Sequence, residues 1–219
     1  GQLLAAGANA KLGDGQWLVA EADESDGSFL RLNPLIAVIT NIDADHLENY
    51  GNDFARLQSA FAEFLQRLPF YGLAVLCIDD PEVAALSAHT PRHVRTYGIA
   101  EAADVRAEDI VQDGPRMRFT LRLPEGASVP VTLALQGRHN VLNALAAAAV
   151  GWQLGVSPQN IAAALEKFAG IGRRFNDLGE ITTPQGARVQ LVDDYGHHPK
   201  ELAAVFAAAR GGWPHKRLV

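Results

Sequence analysis

WLVAEADESDGSFLRLNPLIAVITNIDADH, residues 17–46, is the stretch whose reading decides the fold. Twice within it an apolar run stops and acids follow at once: Trp17–Ala20 leads into Glu21, Asp23 and Glu24, and Leu35–Ile39 leads into Asp43, Asp45 and His46. Both runs are too short for helices and lack polar alternation, the pattern of strands buried on both faces of a parallel sheet. In open α/β sheets the carboxyl ends of such strands line the ligand crevice. The two sets of acids, with His46, are therefore expected to converge on one cation or phosphate group.

Working outward, residues 1–15 (GQLLAAGANAKLGDG) predict a loop or short strand with a turn at Gly13–Gly15. Phe54, Leu57, Phe61, Phe64, Leu65 and Leu68 recur at helical spacing, which predicts an amphipathic helix ended by Pro69. Leu73–Ile78 reads as another buried strand, and Asp79-Asp80-Pro81 as a turn opening a helix with proline in its first turn. Val94–Tyr97 is a further strand, and the strand–helix–strand succession implies right-handed parallel crossovers. From about Asp104 the texture changes. Val105–Val111, Met117–Leu123 and Val129–Leu135 alternate more and have tight breaks, with a hairpin turn at Pro124-Glu125-Gly126, so they predict a small antiparallel subsheet.

GRHNVLNALAAAAVGWQLG opens a long helix for which Asn140 is the expected N-cap. His139, Asn140 and Asn143 then cluster at its N-terminus. Amides offer a donor and an acceptor together, which suits the edge of an adenine, although capping and backbone bonding would also occupy them. Ser157-Pro158 starts another helix with Ile161, Leu165 and Phe168 inward. GIGRRFNDLG (170–179) reads as a hinge carrying the cation pair Arg173-Arg174. Val189–Val192 predicts a buried strand, DDYGHHP leaves its carboxyl end, and Pro199 opens a helix to about Arg210.

Composition narrows the function classes. The 219 residues are 48% hydrophobic and 20% charged, ordinary for a globular protein, and the net charge of −6 argues against a nucleic-acid surface. No apolar run approaches the roughly 18 residues of a membrane span. Cys77 is the one cysteine; it sits in an apolar strand and fits a reducing, cytoplasmic compartment. The chain opens at Gly1 and closes on HKRLV, which looks like a strand just begun, so we expect an excerpt of a longer polypeptide. Adjacent His197 and His198 invite a zinc reading, but HExxH spacing is absent. GxSxG, GxGxxG and GxxxxGK[ST] are absent as well.

Four segments in register carry a resemblance: EADESDGSF (21–29), TNIDADH (40–46), GRHNVLNA (137–144), and GRRFNDLG (172–179) followed by VDDYGHHPKE (192–201). Together they resemble the Mur ligases, and within that family the branch that adds L-alanine. The resemblance implies an α/β fold, with a mostly parallel sheet flanked by helices and a small antiparallel subsheet. It divides the chain into a central ATP-binding domain over residues 1–171, incomplete at its start, and the first part of a C-terminal Rossmann-like domain over 172–219. It implies an ATP- and Mg2+-dependent ligase of peptidoglycan precursor synthesis with UDP-N-acetylmuramate and L-alanine as substrates. ATP would phosphorylate the sugar's carboxylate, and the amine would attack the acyl phosphate.

Carried over position by position, Glu21 and His46 would bind magnesium, and both, with Arg174, would serve catalysis. His139, Asn140 and Asn143 would contact adenine, Arg174 the phosphates and Asp194 the ribose, while Tyr195 and His198 would touch nucleotide or muramate. Where several relatives carry a carbamylated lysine this chain has Phe61, and residues 41–70 contain no lysine. The phosphate loop would lie before Gly1. A ligase that joins a whole peptide to the same sugar, and a non-catalytic nucleotide-binding module, are the alternatives.

Overall fold

Leu73–Cys77 (β2) is buried at every position, and the architecture is built on both of its faces. The computed structural model describes residues 7–219. Successive strand side chains point to opposite faces, so Leu73, Val75 and Cys77 enter one core and Ala74 and Leu76 another. The first core is closed by α3 (Arg138–Gln153), and α4 (Pro158–Lys167) adds Ile161 to it. The second is closed by α1 (Phe54–Gln66) and α2 (Pro81–Ala88), with Phe29 packed against Phe61 and Phe64 at ring-centroid distances of 5.4 and 5.1 Å. Helices therefore cover both faces of one sheet.

That sheet runs β1 (Ile36–Ile39), β2, β3 (His93–Gly98), β4 (Val105–Asp113), β5 (Arg116–Arg122), β6 (Ser128–Leu133), in chain order. The first three pairings are parallel and the last two antiparallel. The β3–β4 pair joins only Tyr97 with Val105 and Gly98 with Arg106. Because β4 begins beside the end of β3 and runs onward, a short loop replaces the crossover helix that fully overlapping parallel strands require. The predicted antiparallel subsheet is thus an extension of the parallel one. Its β5–β6 turn lies where expected, with Glu125 at φ 63°.

Local chemistry explains the helix ends. The Asp53 carboxylate accepts from Ala55 N (2.9 Å), Asp80 from Glu82 N and Val83 N (3.1 and 3.0 Å), and Ser157 Oγ from Asn160 N (3.3 Å). At the other end of α1 the Arg92 guanidinium donates to the carbonyls of Leu68 and Gln66, residues that follow or close the helix (2.9 and 3.1 Å).

Several expectations are corrected. Trp17–Ala20 forms no strand; Leu18 and Val19 are 91% and 93% exposed. Apolarity supplies the side chains of a buried strand but not its ladder, and among the described residues β1 is a free edge of the sheet. Arg188–Asp193 (β8) pairs antiparallel with a strand absent from the sequence reading, β7 (Asn176–Thr182). Val189 and Leu191 are more than a third exposed, so β8 is not a buried strand. Asn140 is not the N-cap of α3: Gly137, at φ 90°, starts the helix earlier and places Asn140 inside its first turn. Residues 214–219 form no strand. The last helix, α5, spans Pro199–Gly212. Of the loop or short strand expected over residues 1–15, residues 1–6 lie outside the described residues.

Among the described residues no helix is long and apolar enough to cross a membrane. Burial predicts the stability response. Leu121 is fully buried in the α3-side core, so Leu121→Ala should lose about 2–5 kcal/mol in chemical denaturation. Leu178, 63% exposed on β7, should change by no more than about 0.5 kcal/mol as Leu178→Ala.

Candidate active site

The loops after residue 20 and after β1 do meet. Asn49 Nδ2 donates to the Ser25 carbonyl (2.6 Å), and the Tyr50 hydroxyl donates to the Glu24 carbonyl. Asp23 and Asp26 fold the first loop on itself by accepting from Ser25 N and Ser28 N, both at 2.8 Å. Hydrogen bonds from Ser25 hold the Asp23 carboxyl below the usual carboxylate range, and His46 is near enough to contribute to the same shift. His46 itself stands at φ 52°, a left-handed conformation, with its N–H donating to Asp45 Oδ1 (2.8 Å). Its ring lies 3.7 Å from the Asp45 carboxylate and 3.8 Å from that of Glu48. Glu21 is exposed at the start of this acidic loop.

The six predicted groups do not all converge. Asp43 is engaged by the ammonium of Lys200, from α5. Among the described residues no three His, Cys, Asp or Glu side chains are grouped to hold a metal alone. Magnesium does not require such a cage: it keeps several waters and is commonly held by one or two carboxylates plus substrate phosphates. The Glu21 carboxylate fits that donor chemistry. The His46 nitrogen fits it less well, since this ion prefers oxygen.

The second group of candidates comes together where α3 begins. Burial pushes the His139 imidazole below its ordinary range; the Asp194 carboxylate opposes that shift and the Arg174 guanidinium reinforces it. Three residues far apart in sequence thus share one electrostatic environment. Asn140 Nδ2 donates to the Gln136 carbonyl (2.7 Å), and Asn143 Nδ2 lies 3.5 Å from Asn140 Oδ1. Asn143 remains exposed. Gly137 is required here: a Cβ would sit 2.7 Å from the His139 ring and 2.9 Å from Ala208 Cβ, at a φ that L residues rarely adopt.

Arg173 and Phe175 also have positive φ, 61° and 49°, so the chain around Arg174 makes an irregular turn. Asp194 fastens it. One carboxylate oxygen accepts from Phe175 N (2.8 Å) and the other from Gly196 N (2.6 Å), leaving lone pairs on each. Tyr195 N donates to the Arg173 carbonyl (2.8 Å), and the Arg173 guanidinium lies 4.9 Å from the Tyr195 ring centre. Arg174 Nη1 donates to Glu201 (3.2 Å), which also accepts from His197 N and His198 N (3.0 and 3.3 Å). Burial raises the Glu201 carboxyl, but those amides and Arg174 outweigh it and leave the group below the usual range. His198 is the N-cap of α5, and Tyr195 is 54% exposed.

Sequence reading missed Glu201 and Lys200. Glu201 had a signal, since a glutamate three residues into a helix commonly reaches back to the N-cap backbone. Lys200 had none, because its partner is 157 residues away. Two open cavities of about 470 Å3 each lie elsewhere, one beside Arg106, Glu108 and Arg122, the other beside Arg95, Trp152 and Val156; neither includes a candidate residue.

Helix-covered parallel strands with acids at their carboxyl ends, and a polar cluster at a helix start, define a nucleotide-binding type of α/β protein. Residues 8–151 match the Mur ligase middle domain, and the chain belongs to the Mur ligase family. It is 85% identical over all 219 residues to the UDP-N-acetylmuramate–L-alanine ligases of Xanthomonas campestris pv. campestris (strain B100) and Xanthomonas oryzae pv. oryzae (strain PXO99A), covering 46% of each. The chain therefore spans about half the length of the curated relatives it matches. Among solved structures, the UDP-N-acetylmuramate–alanine ligase MurC of Thermotoga maritima superposes with a TM-score of 0.72 at 29% identity, over 89% of this chain and 42% of that one. MurF of Acinetobacter baumannii gives 0.68 at 29% identity, over 84% and 39%.

The environment of His139 predicts its titration. With the folded value depressed, the unfolded chain binds the extra proton first, so this group lowers stability as pH falls through about 6.5. NMR titration of His139 should give a midpoint below that of a free histidine. Asp194→Asn should depress it further, because the carboxylate is the group that raises it.

Proposed function

We propose that these residues are the ATP-handling part of a ligase that joins L-alanine to the carboxylate of UDP-N-acetylmuramate. The observation that carries this reading is 85% identity, without a gap in coverage, to curated ligases of that name. Residues 1–171 would be the central ATP-binding domain and 172–219 the beginning of the C-terminal Rossmann-like domain. A carboxylate is a poor acyl donor; phosphorylation by ATP gives it a good leaving group, which the alanine amine displaces.

Each side chain then has a task suited to its surroundings. His139, kept neutral by burial, can hydrogen-bond or stack against adenine without adding charge, and the exposed amide of Asn143 lies one turn away. Asn140, which also belongs to this group, has its amide nitrogen on the Gln136 carbonyl and its oxygen beside Asn143. Arg174, half exposed and held by Glu201, supplies the cation for the phosphates. Asp194 retains lone pairs for a ribose hydroxyl, and Tyr195 and His198 would touch nucleotide or muramate. Magnesium, held by Glu21 with His46 nearby, would neutralise charge on the transferring phosphoryl group. The remaining work of the chain is to position these groups and, by approach of the 172–219 part, to exclude water.

In the full polypeptide that carries these residues, Glu21→Ala and His46→Ala should each lower turnover by about 10²–10³-fold with the fold intact by circular dichroism. His139→Ala should raise the KM for ATP by about three- to tenfold with little loss of maximal rate. Incorporation of labelled L-alanine into UDP-N-acetylmuramate is the direct assay. Preference for a tripeptide would transfer the assignment to a peptide-adding ligase, and ATP binding without any product would indicate a binding module.

A further inference from the structure

Lys200 is the one cation of α5's first turn, and its ammonium engages Asp43 just past β1. Asp43 is 19% exposed at its side chain, so the pair is covered on the acid's side, although Lys200 is 68% exposed. Asp43 is also part of a short chain of contacts. Ile42 before it is buried, the Asp43 carbonyl accepts from Asp45 N (2.8 Å), and Asp45 Oδ1 accepts from His46 N (2.8 Å). His46, at φ 52°, occupies a backbone conformation that its surroundings must hold. Lys200 thus grips the loop three residues before the histidine.

The other end of α5 is seated by close packing. Ala208 and Ala209 are buried, and Gln112 Nε2 donates to the Ala208 carbonyl (3.0 Å). A Cβ at Gly211 would sit 2.4 Å from Gln112 Oε1, and one at Gly212 would sit 2.6 Å from Gln136 Oε1. The helix is therefore docked at its C-terminal end on β4 and the start of α3, and at its N-terminal end reaches the tip of β1. In between, Glu201 holds Arg174.

We propose that Lys200 is a positioning residue, which through Asp43 couples docking of α5 to the conformation of the His46 loop. When α5 is seated, the loop is braced; when it lifts away, Asp43 loses its cation and the 43–46 backbone is freer to leave the left-handed turn. The consequence for chemistry rests on the ligase reading above, while the brace itself does not.

A double-mutant cycle of Lys200→Met and Asp43→Asn tests it in two readouts. The first is amide hydrogen exchange in this chain. Lys200→Met should speed exchange of the Asp45 and His46 amides by up to about fivefold, the range for an exposed ion pair, and the difference should shrink in high salt. Adding Lys200→Met to Asp43→Asn should change nothing further, and Lys200→Arg should restore the wild-type rate. The second is kinetics of the full polypeptide, where Lys200→Met should lower kcat by a similar factor with the KM for ATP held, since the adenine-side residues are elsewhere. Equal exchange in wild type and Lys200→Met, or additive effects in the double variant, would overturn the brace. The exchange result with no ligase turnover in wild type would leave the brace standing and remove the proposed function. Faster exchange with unchanged kcat in an active enzyme would overturn the positioning role.

Discussion

A strand buried on both faces constrains everything else in this molecule. β2 cannot show either face to water, so helices must cover both sides, and two separate cores follow from its alternate side chains. Backbone polar groups along such a strand are satisfied by neighbours on each side, which sets the parallel ladder through β1 and β3. The strand ends are what remain free for polar residues. That is why acids gather at the carboxyl ends of β1 and β2, the end at which open α/β sheets form their ligand crevices.

Not every acid at a strand end serves chemistry. Asp79, directly after β2, accepts from Ile99 N and Ala100 N and lies so near Gly98 that a Cβ there would meet its oxygen at 2.3 Å. Asp80 caps α2. These two acids fasten the end of β2 to the end of β3 and to α2, whereas Asp45 and Glu48 stand beside the His46 ring. The distinction lies in what each carboxylate accepts from. Asp79 and Asp80 each accept from two backbone amides, while the Asp45 carboxylate accepts from the His46 amide and lies 3.7 Å from its ring.

The part of the chain after Gly170 is organised by different forces. Its two-stranded sheet is half exposed, and little apolar area supports it. Order there depends on polar fasteners and on a few close contacts: Asp194 across two amides, Glu201 across two amides and Arg174, Phe175 stacked on Trp213 at 6.1 Å, and the glycines of α5 against Gln112 and Gln136. Such contacts are individually modest and break separately.

The sequence by itself determined the strands and helices of the central sheet: unbroken apolar runs at 36–39 and 73–77, helical spacing at 54–66 and alternation over 105–133, although β1, expected to be buried on both faces, leaves Val38 40% exposed. It also placed the site motifs in order, since acids after a strand and amides at a helix start are local signals. Tertiary structure alone decided the rest. WLVA has a strand's composition but no ladder, β7 becomes a strand only through β8, and Gly137 rather than Asn140 begins α3 because a backbone angle, not a side chain, starts the helix. The pairing of Asp43 with Lys200, and the gathering of His139, Arg174 and Asp194, join residues dozens to more than a hundred positions apart. No local pattern encodes such contacts; they exist because the packed sheet and α5 fix the distances between them.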